Sequence, residues 1–160
     1  MCIRDRINSQ NELENNLIAS QMTALKSQMN PHFVFNALNS IQSLILYKRT
    51  NEAYTYVDKF ARLLRQVLNF SDQDFISLYE EIEMLQNYLE MEDMRFDGEL
   101  DFVIEPCEDI DIHIPSMIIQ PFVENAIKHG LLHKTEGKKR VWVRFEQTDE
   151  ETLVCEVEDL

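Results

Sequence analysis

Apolar residues recur every three to four positions through most of the first 95 residues, then every second position near the C-terminal end. The first pattern predicts one long helix from about Gln10 to Leu46. Leu13 and Leu17 open an apolar stripe, and Leu25, Met29, Phe33, Ala37 and Ile41 continue it at spacings of four. A helix this long with one apolar side requires a partner helix. Pro31 lies inside it, removes one backbone donor and predicts a kink. A break at Lys48–Asn51 and a second helix over 51–69 complete an antiparallel hairpin, with Tyr54, Val57, Ala61, Leu64 and Leu68 as its inner face.

Ser71–Ser77 reads as a connection. Ser77, with Glu80 three residues on, predicts a capping box at the start of a third helix, Leu78 to about Met94, whose face is Ile82, Leu85, Leu89 and Met91. Gly98 marks a turn, and Leu100–Ile104 alternates as a short strand. Pro115–Gly130 reads as a helix with Pro121 in its first turns and Gly130 as C-cap, with Phe122, Ala126 and Ile127 toward the core. Arg140–Gln147 and Thr152–Glu158 alternate around a turn and predict an antiparallel hairpin. The order, helices first and a mixed unit after, predicts an α+β fold divided near residue 75.

Charge sharpens this picture. Residues 1–70 carry a net charge of +3, residues 71–115 a net of −14 and residues 116–160 a net of −3. Nucleic-acid binding needs a basic footprint, so no nucleic-acid partner is expected. The acidic middle is spread along amphipathic segments and reads as a solvated face rather than a metal trap. Cys2, Cys107 and Cys155 are odd in number and far apart, which predicts neither disulfides nor a zinc site. No apolar run reaches the ~18–20 residues that span a bilayer. The opening MCIRDR fits none of these patterns and is given no structural weight.

Two constellations carry candidate chemistry. In LKSQMNPHFVFNALNS, residues 25–40, Gln28, His32, Asn36 and Asn39 fall on one polar stripe opposite the apolar one. A neutral imidazole can attack a phosphoryl centre unaided, and flanking amides orient the ring without adding charge. Spacing alone favours an exposed histidine beside a structural proline. In PFVENAIKHG, residues 121–130, Asn125, Lys128 and His129 lie at i, i+3 and i+4. An amide oxygen is a hard, neutral ligand suited to Mg²⁺, and a lysine neutralises phosphate charge. By itself this segment reads more readily as a polar helix face ended by glycine. His129 and His133 lack a third ligand for a metal.

Taken together and in this order, the two segments resemble the phosphoacceptor box and the N box of LytS/YehU-type sensor histidine kinases. SLYEEIEMLQNYLEMEDMRFDGELDF, residues 77–102, is also similar to that family, including its Tyr88-Leu89-Glu90 and Arg95-Phe96 elements. The resemblance covers residues 20–159 and implies a helical dimerisation and phosphoacceptor region over 1–75. Over 76–160 it implies the first part of a Bergerat-type ATP-binding α/β sandwich, cut short. His32 would accept the γ-phosphoryl group of ATP, with Asn36 orienting it. Asn125 would hold Mg²⁺, Lys128 and His129 would lie near the phosphates, and Asp159 would read the adenine amino group. Partners implied are a response regulator and a second copy of the chain joined through the first two helices. The chain would be the cytoplasmic portion of a protein whose membrane anchor lies outside it.

The chain departs from the family's pattern in two places. Pro121 stands where related ATPases have a water-activating glutamate. Leu160 follows Asp159 where an asparagine and then glycine motifs are expected, so little activity is expected of this stretch alone. The alternative is a non-catalytic helical module that dimerises and docks a response regulator.

Overall fold

The computed structural model describes residues 15–16, 31–131, 133 and 135–160, and for Pro31, His32 and Leu131 the backbone alone. Leu13, Leu17, Leu25, Gln28 and Met29, and with them the approach to the kink expected at Pro31, lie outside the described residues. Helix α1 spans Pro31–Leu46 and α2 spans Thr50–Ser71, joined by a tight turn in which Lys48 takes a left-handed backbone (φ 57°). Phe33 and Ala37 are buried on α1, as their spacing predicts.

The inner face of α2 differs from expectation. Ala53, Tyr56, Leu63, Val67 and Phe70 are buried, whereas Tyr54 is 77% and Val57 44% exposed. Ala61, Leu64 and Leu68 are half-buried. Helix α2 carries two apolar stripes offset by one residue, about 100° around its axis. Periodicity identifies both equally, and the neighbouring helix selects one.

Strand β1 (Phe75–Ser77) pairs antiparallel with β3 (His113–Pro115), within what the sequence suggested was only a connection. Ser77 caps α3 (Leu78–Arg95) through the expected capping box: its side chain accepts the Glu80 N–H, and the Glu80 carboxylate accepts the Ser77 N–H. Helix α3 is the centre of the molecule. Leu85, Leu89 and Met91 are buried as predicted and Ile82 only partly, while Glu81, Asn87, Tyr88 and Glu92 are buried as well. The reason is that α3 packs on two sides. Toward the hairpin, the Asn87 amide donates to the Lys59 carbonyl at 3.1 Å, and Lys59 pairs with Glu90. Phe33 sits with its ring centroid 5.2 Å from Tyr88 and 6.2 Å from Phe60. Another side of α3 packs on strand β2 (Leu100–Glu105) of the second sheet.

That sheet has the order β2 (Leu100–Glu105), β4 (Lys139–Gln147), β5 (Leu153–Asp159), with β2 parallel to β4 and β5 antiparallel to β4. Its inner face is Leu100, Phe102 and Ile104 beside Val141, Val143 and Phe145, then Leu153, Cys155 and Val157. The outer face mixes Val103, Trp142 and Val154 with charged residues, among them Arg140 paired to Asp101 and Arg144 to Glu105. A parallel pair needs a crossover, and the segment between β2 and β4 contains α4 (Gln120–Asn125), which widens into a π-helical turn over Ala126–Leu131. The fold is α+β.

The crossover helix does not begin at Pro115. Pro115 belongs to β3, and Ser116–Ile119 form a turn in which Met117 has φ 57°. The backbone N–H groups of this turn are committed elsewhere: Ser116 to the Asp74 carbonyl, Met117 and Ile119 to the Glu81 carboxylate. Gly130 is not a C-cap either, since it lies inside the π-helical turn.

Candidate functional site

Helix α4 and its π-helical extension place Val123 and Ile127 in the core and leave Asn125, Lys128 and His129 exposed on one stretch of backbone. Phe122, expected inside, is 61% exposed because the helix is anchored through Gln120, Val123 and Ile127 instead. A π-helical turn admits one extra residue into the winding and is frequent at functional positions. Here it carries Lys128, His129 and Gly130 to the end of β5. A Cβ built on Gly130 would lie 1.6 Å from the Asp159 Oδ2 atom. Glycine at 130 is therefore what admits the Asp159 carboxylate against the turn.

The π-helical turn that carries Lys128 and His129 thus meets Asp159 through Gly130, a contact between residues far apart in the sequence. Asn36 is elsewhere. It is half-buried and lines an open cavity of about 320 Å³ with Ser40, Tyr56, Arg49 and Arg95, whose walls include none of Asn125, Lys128, His129 and Asp159. The side chain of His32 lies outside what the structure describes, but its neighbour Phe33 fixes the backbone of this turn against Tyr88 of α3.

The donor set suits a magnesium-bound phosphate ester. An exposed amide, a primary ammonium and an imidazole share one open turn, and the Asp159 carboxylate lies against it at Gly130. Glu124 does not join them. It is turned inward, accepts from the Gln120 amide at 3.0 Å and is half-buried.

Sequence reasoning missed Glu81. Its carboxylate is fully buried and accepts the Met117 and Ile119 N–H groups at 3.0 Å each. The available signal was a lone acid on the apolar face of α3, between Leu78 and Leu85.

Burial pushes the carboxyl groups of Glu81, Glu92 and Glu124 above the ordinary glutamate range. Amide donors oppose this at Glu81, Arg95 opposes it at Glu92, and Gln120 opposes it at Glu124. A carboxyl with a raised folded-state pKa stabilises the fold fully below its unfolded value, and loses that contribution as pH rises through the folded one. The melting temperature should therefore rise by several degrees on acidification from about pH 8 to about pH 5, aided by relief of self-repulsion at a net charge of −14. Calorimetry across that range checks this, and E124Q should flatten part of the slope. A melting temperature that falls on the same path contradicts the burial of these acids.

The sequence profile of the histidine kinase family matches residues 20–100. The chain is 37% identical over 112 residues to the sensor histidine kinase YpdA of Escherichia coli K12, covering 70% of this chain and 20% of that protein. It is 35% identical over 145 residues to the sensor histidine kinase BtsS of the same organism, covering 89% and 25%. To the sensor protein LytS of Oceanobacillus iheyensis it is 33% identical over 131 residues, covering 81% and 22%. The chain thus spans about a fifth to a quarter of the length of these relatives.

Proposed function

The chain belongs to the histidine kinase family, and from that premise we propose that it supplies the phosphoacceptor and part of the nucleotide site of a two-component sensor kinase. The observation that carries this is the exposed Asn125–Lys128–His129 turn closed by Asp159 at Gly130. Residues 1–75 form the dimerisation and phosphoacceptor region and 76–160 the first part of a Bergerat-type ATP-binding domain.

ATP with its magnesium ion supplies an electrophilic γ-phosphorus. The Asn125 amide oxygen holds the metal, Lys128 and His129 neutralise and orient phosphate oxygens, and the Asp159 carboxylate accepts from the adenine amino group. A neutral His32 ring nitrogen forms the new N–P bond as the bond from the γ-phosphorus to the bridging oxygen breaks, and ADP leaves. The other ring nitrogen gives its proton to solvent. Asn36 orients the ring from one turn on. The phosphoryl group then passes to an aspartate of a response regulator. Such transfers need positioning and charge neutralisation more than covalent work. Incubating the complete natural protein with γ-labelled ATP tests this: it should yield an acid-labile, alkali-stable label, and a protein that stays unlabelled with Mg²⁺ present would sink the assignment.

No helix among the described residues is long and apolar enough to cross a membrane. We place this stretch on the cytoplasmic side of an anchor carried elsewhere in the protein.

The hairpin also leaves apolar side chains in water. Phe35, Leu38 and Ile45 on α1 and Tyr54 and Val57 on α2 are all exposed. The first three lie at i, i+3 and i+10, a single helical stripe. A second copy of the hairpin would cover them and complete a four-helix arrangement. The double variant L38E/V57E should convert dimer to monomer by light scattering with an unchanged far-UV circular dichroism spectrum. A dimer surviving both charges would place the interface elsewhere.

A further inference from the structure

Helix α4 has no cap of its own. Its N-cap residue, Ile119, makes no side-chain hydrogen bond, and only six residues precede the π-helical turn. Its entry is held by Glu81, 38 residues earlier in the chain. The Met117 N–H donates to Glu81 Oε2 and the Ile119 N–H to Oε1, each at 3.0 Å, and the carboxylate is fully buried. Met117 has a left-handed backbone, which is strained for a residue with a side chain, so the turn persists only where something holds it. Burying a carboxylate is expensive, and a well-packed apolar residue of similar volume is often as stable or more so. Stability alone therefore does not account for an acid here; two acceptor atoms aimed at two backbone donors do.

The same helix face reaches the other constellation. Seven residues on from Glu81, two turns and about 10 Å along the axis, Tyr88 packs on Phe33 next to His32. One rigid helix thus grips the entry to α4 at one end and the phosphoacceptor helix at the other.

We infer that Glu81 is a positioning residue, a cap supplied from α3 that sets the phase of α4 and thereby directs Asn125 outward as a magnesium ligand. This rests on the nucleotide-site assignment above. A glutamine at 81 keeps one acceptor and turns an N–H against the other amide, so E81Q should release one of the two donors with little change in volume.

The test is the Mg²⁺ concentration giving half-maximal binding of a fluorescent ATP analogue by the complete natural protein. E81Q should raise that midpoint about tenfold, the effect of losing a hydrogen bond to a charged acceptor. V143A, a core variant in β4, should lower the melting temperature yet leave the midpoint alone when measured well below that temperature, because a fully folded population binds with its intrinsic affinity. An unmoved midpoint in E81Q, or an equal shift in V143A, overturns the inference. Amide hydrogen exchange judges it without nucleotide. E81Q should speed exchange across Val123–His129 and leave Trp142–Phe145 unchanged, and unaltered exchange in α4 overturns it. Should the wild type bind no nucleotide while exchange responds as expected, the nucleotide site is lost and the cap stands.

Discussion

Replacing His32 with glutamine should abolish phosphoryl incorporation from γ-labelled ATP altogether, while leaving nucleotide binding and the melting temperature near those of the wild type. The carboxamide resembles one edge of imidazole in size and polarity but has no nucleophilic nitrogen, because its lone pair is delocalised into the carbonyl. The fold around position 32 is secured by its neighbour instead. Phe33 is buried between Phe60 and Tyr88, and that contact does not depend on the residue before it. Gel analysis after acid and alkali treatment separates a histidine phosphate from esters. Label retained by H32Q would move the acceptor to another residue and remove the chemical basis for assigning the first constellation.

Replacing Asn125 with alanine should weaken Mg²⁺-dependent nucleotide binding on the order of 100-fold, the usual scale for removing one well-placed polar ligand from a charged centre. The side chain is exposed, and α4 is held by Val123 and Ile127 on its other face. Stability should therefore change by less than about 0.5 kcal/mol, as for ordinary surface substitutions. The two measurements together are diagnostic: calorimetric titration with Mg·ATP reports the ligand, and thermal unfolding reports the fold. N125A with unimpaired binding would mean the metal is held elsewhere, and a large loss of stability would mean the amide is structural. The same titration in excess EDTA should erase the difference between wild type and variant.

Much of this organisation was legible along the chain. The hairpin turn near Lys48, the capping box at Ser77, the strand from Leu100 and the final hairpin all depend on local signals: a period, a cap, a glycine or an alternation. Their physics acts within a few residues, so a few residues suffice to find them. The polar turn at Asn125–His129 was visible for the same reason. Where expectation and structure part, a distant partner decides. Tyr54 and Val57 match the inner-face pattern of α2 as well as Ala53 and Tyr56 do, and only the packing of α3 chooses between them. Pro121 favours a helix start just before it, and Glu81 and Asp74 take the backbone donors of Ser116, Met117 and Ile119. Gly130 has the look of a helix stop and is instead a gap filled by Asp159.

From its sequence alone, then, this protein determined the hairpin of α1 and α2, the capped helix α3 and the strands β2, β4 and β5, because each follows from contacts between near neighbours. Only the tertiary structure decided which apolar stripe is core and which is left in water, where α4 starts, and that Asp159 meets Gly130. These outcomes turn on side chains that meet across tens of residues, and no period or spacing in one dimension encodes such a meeting.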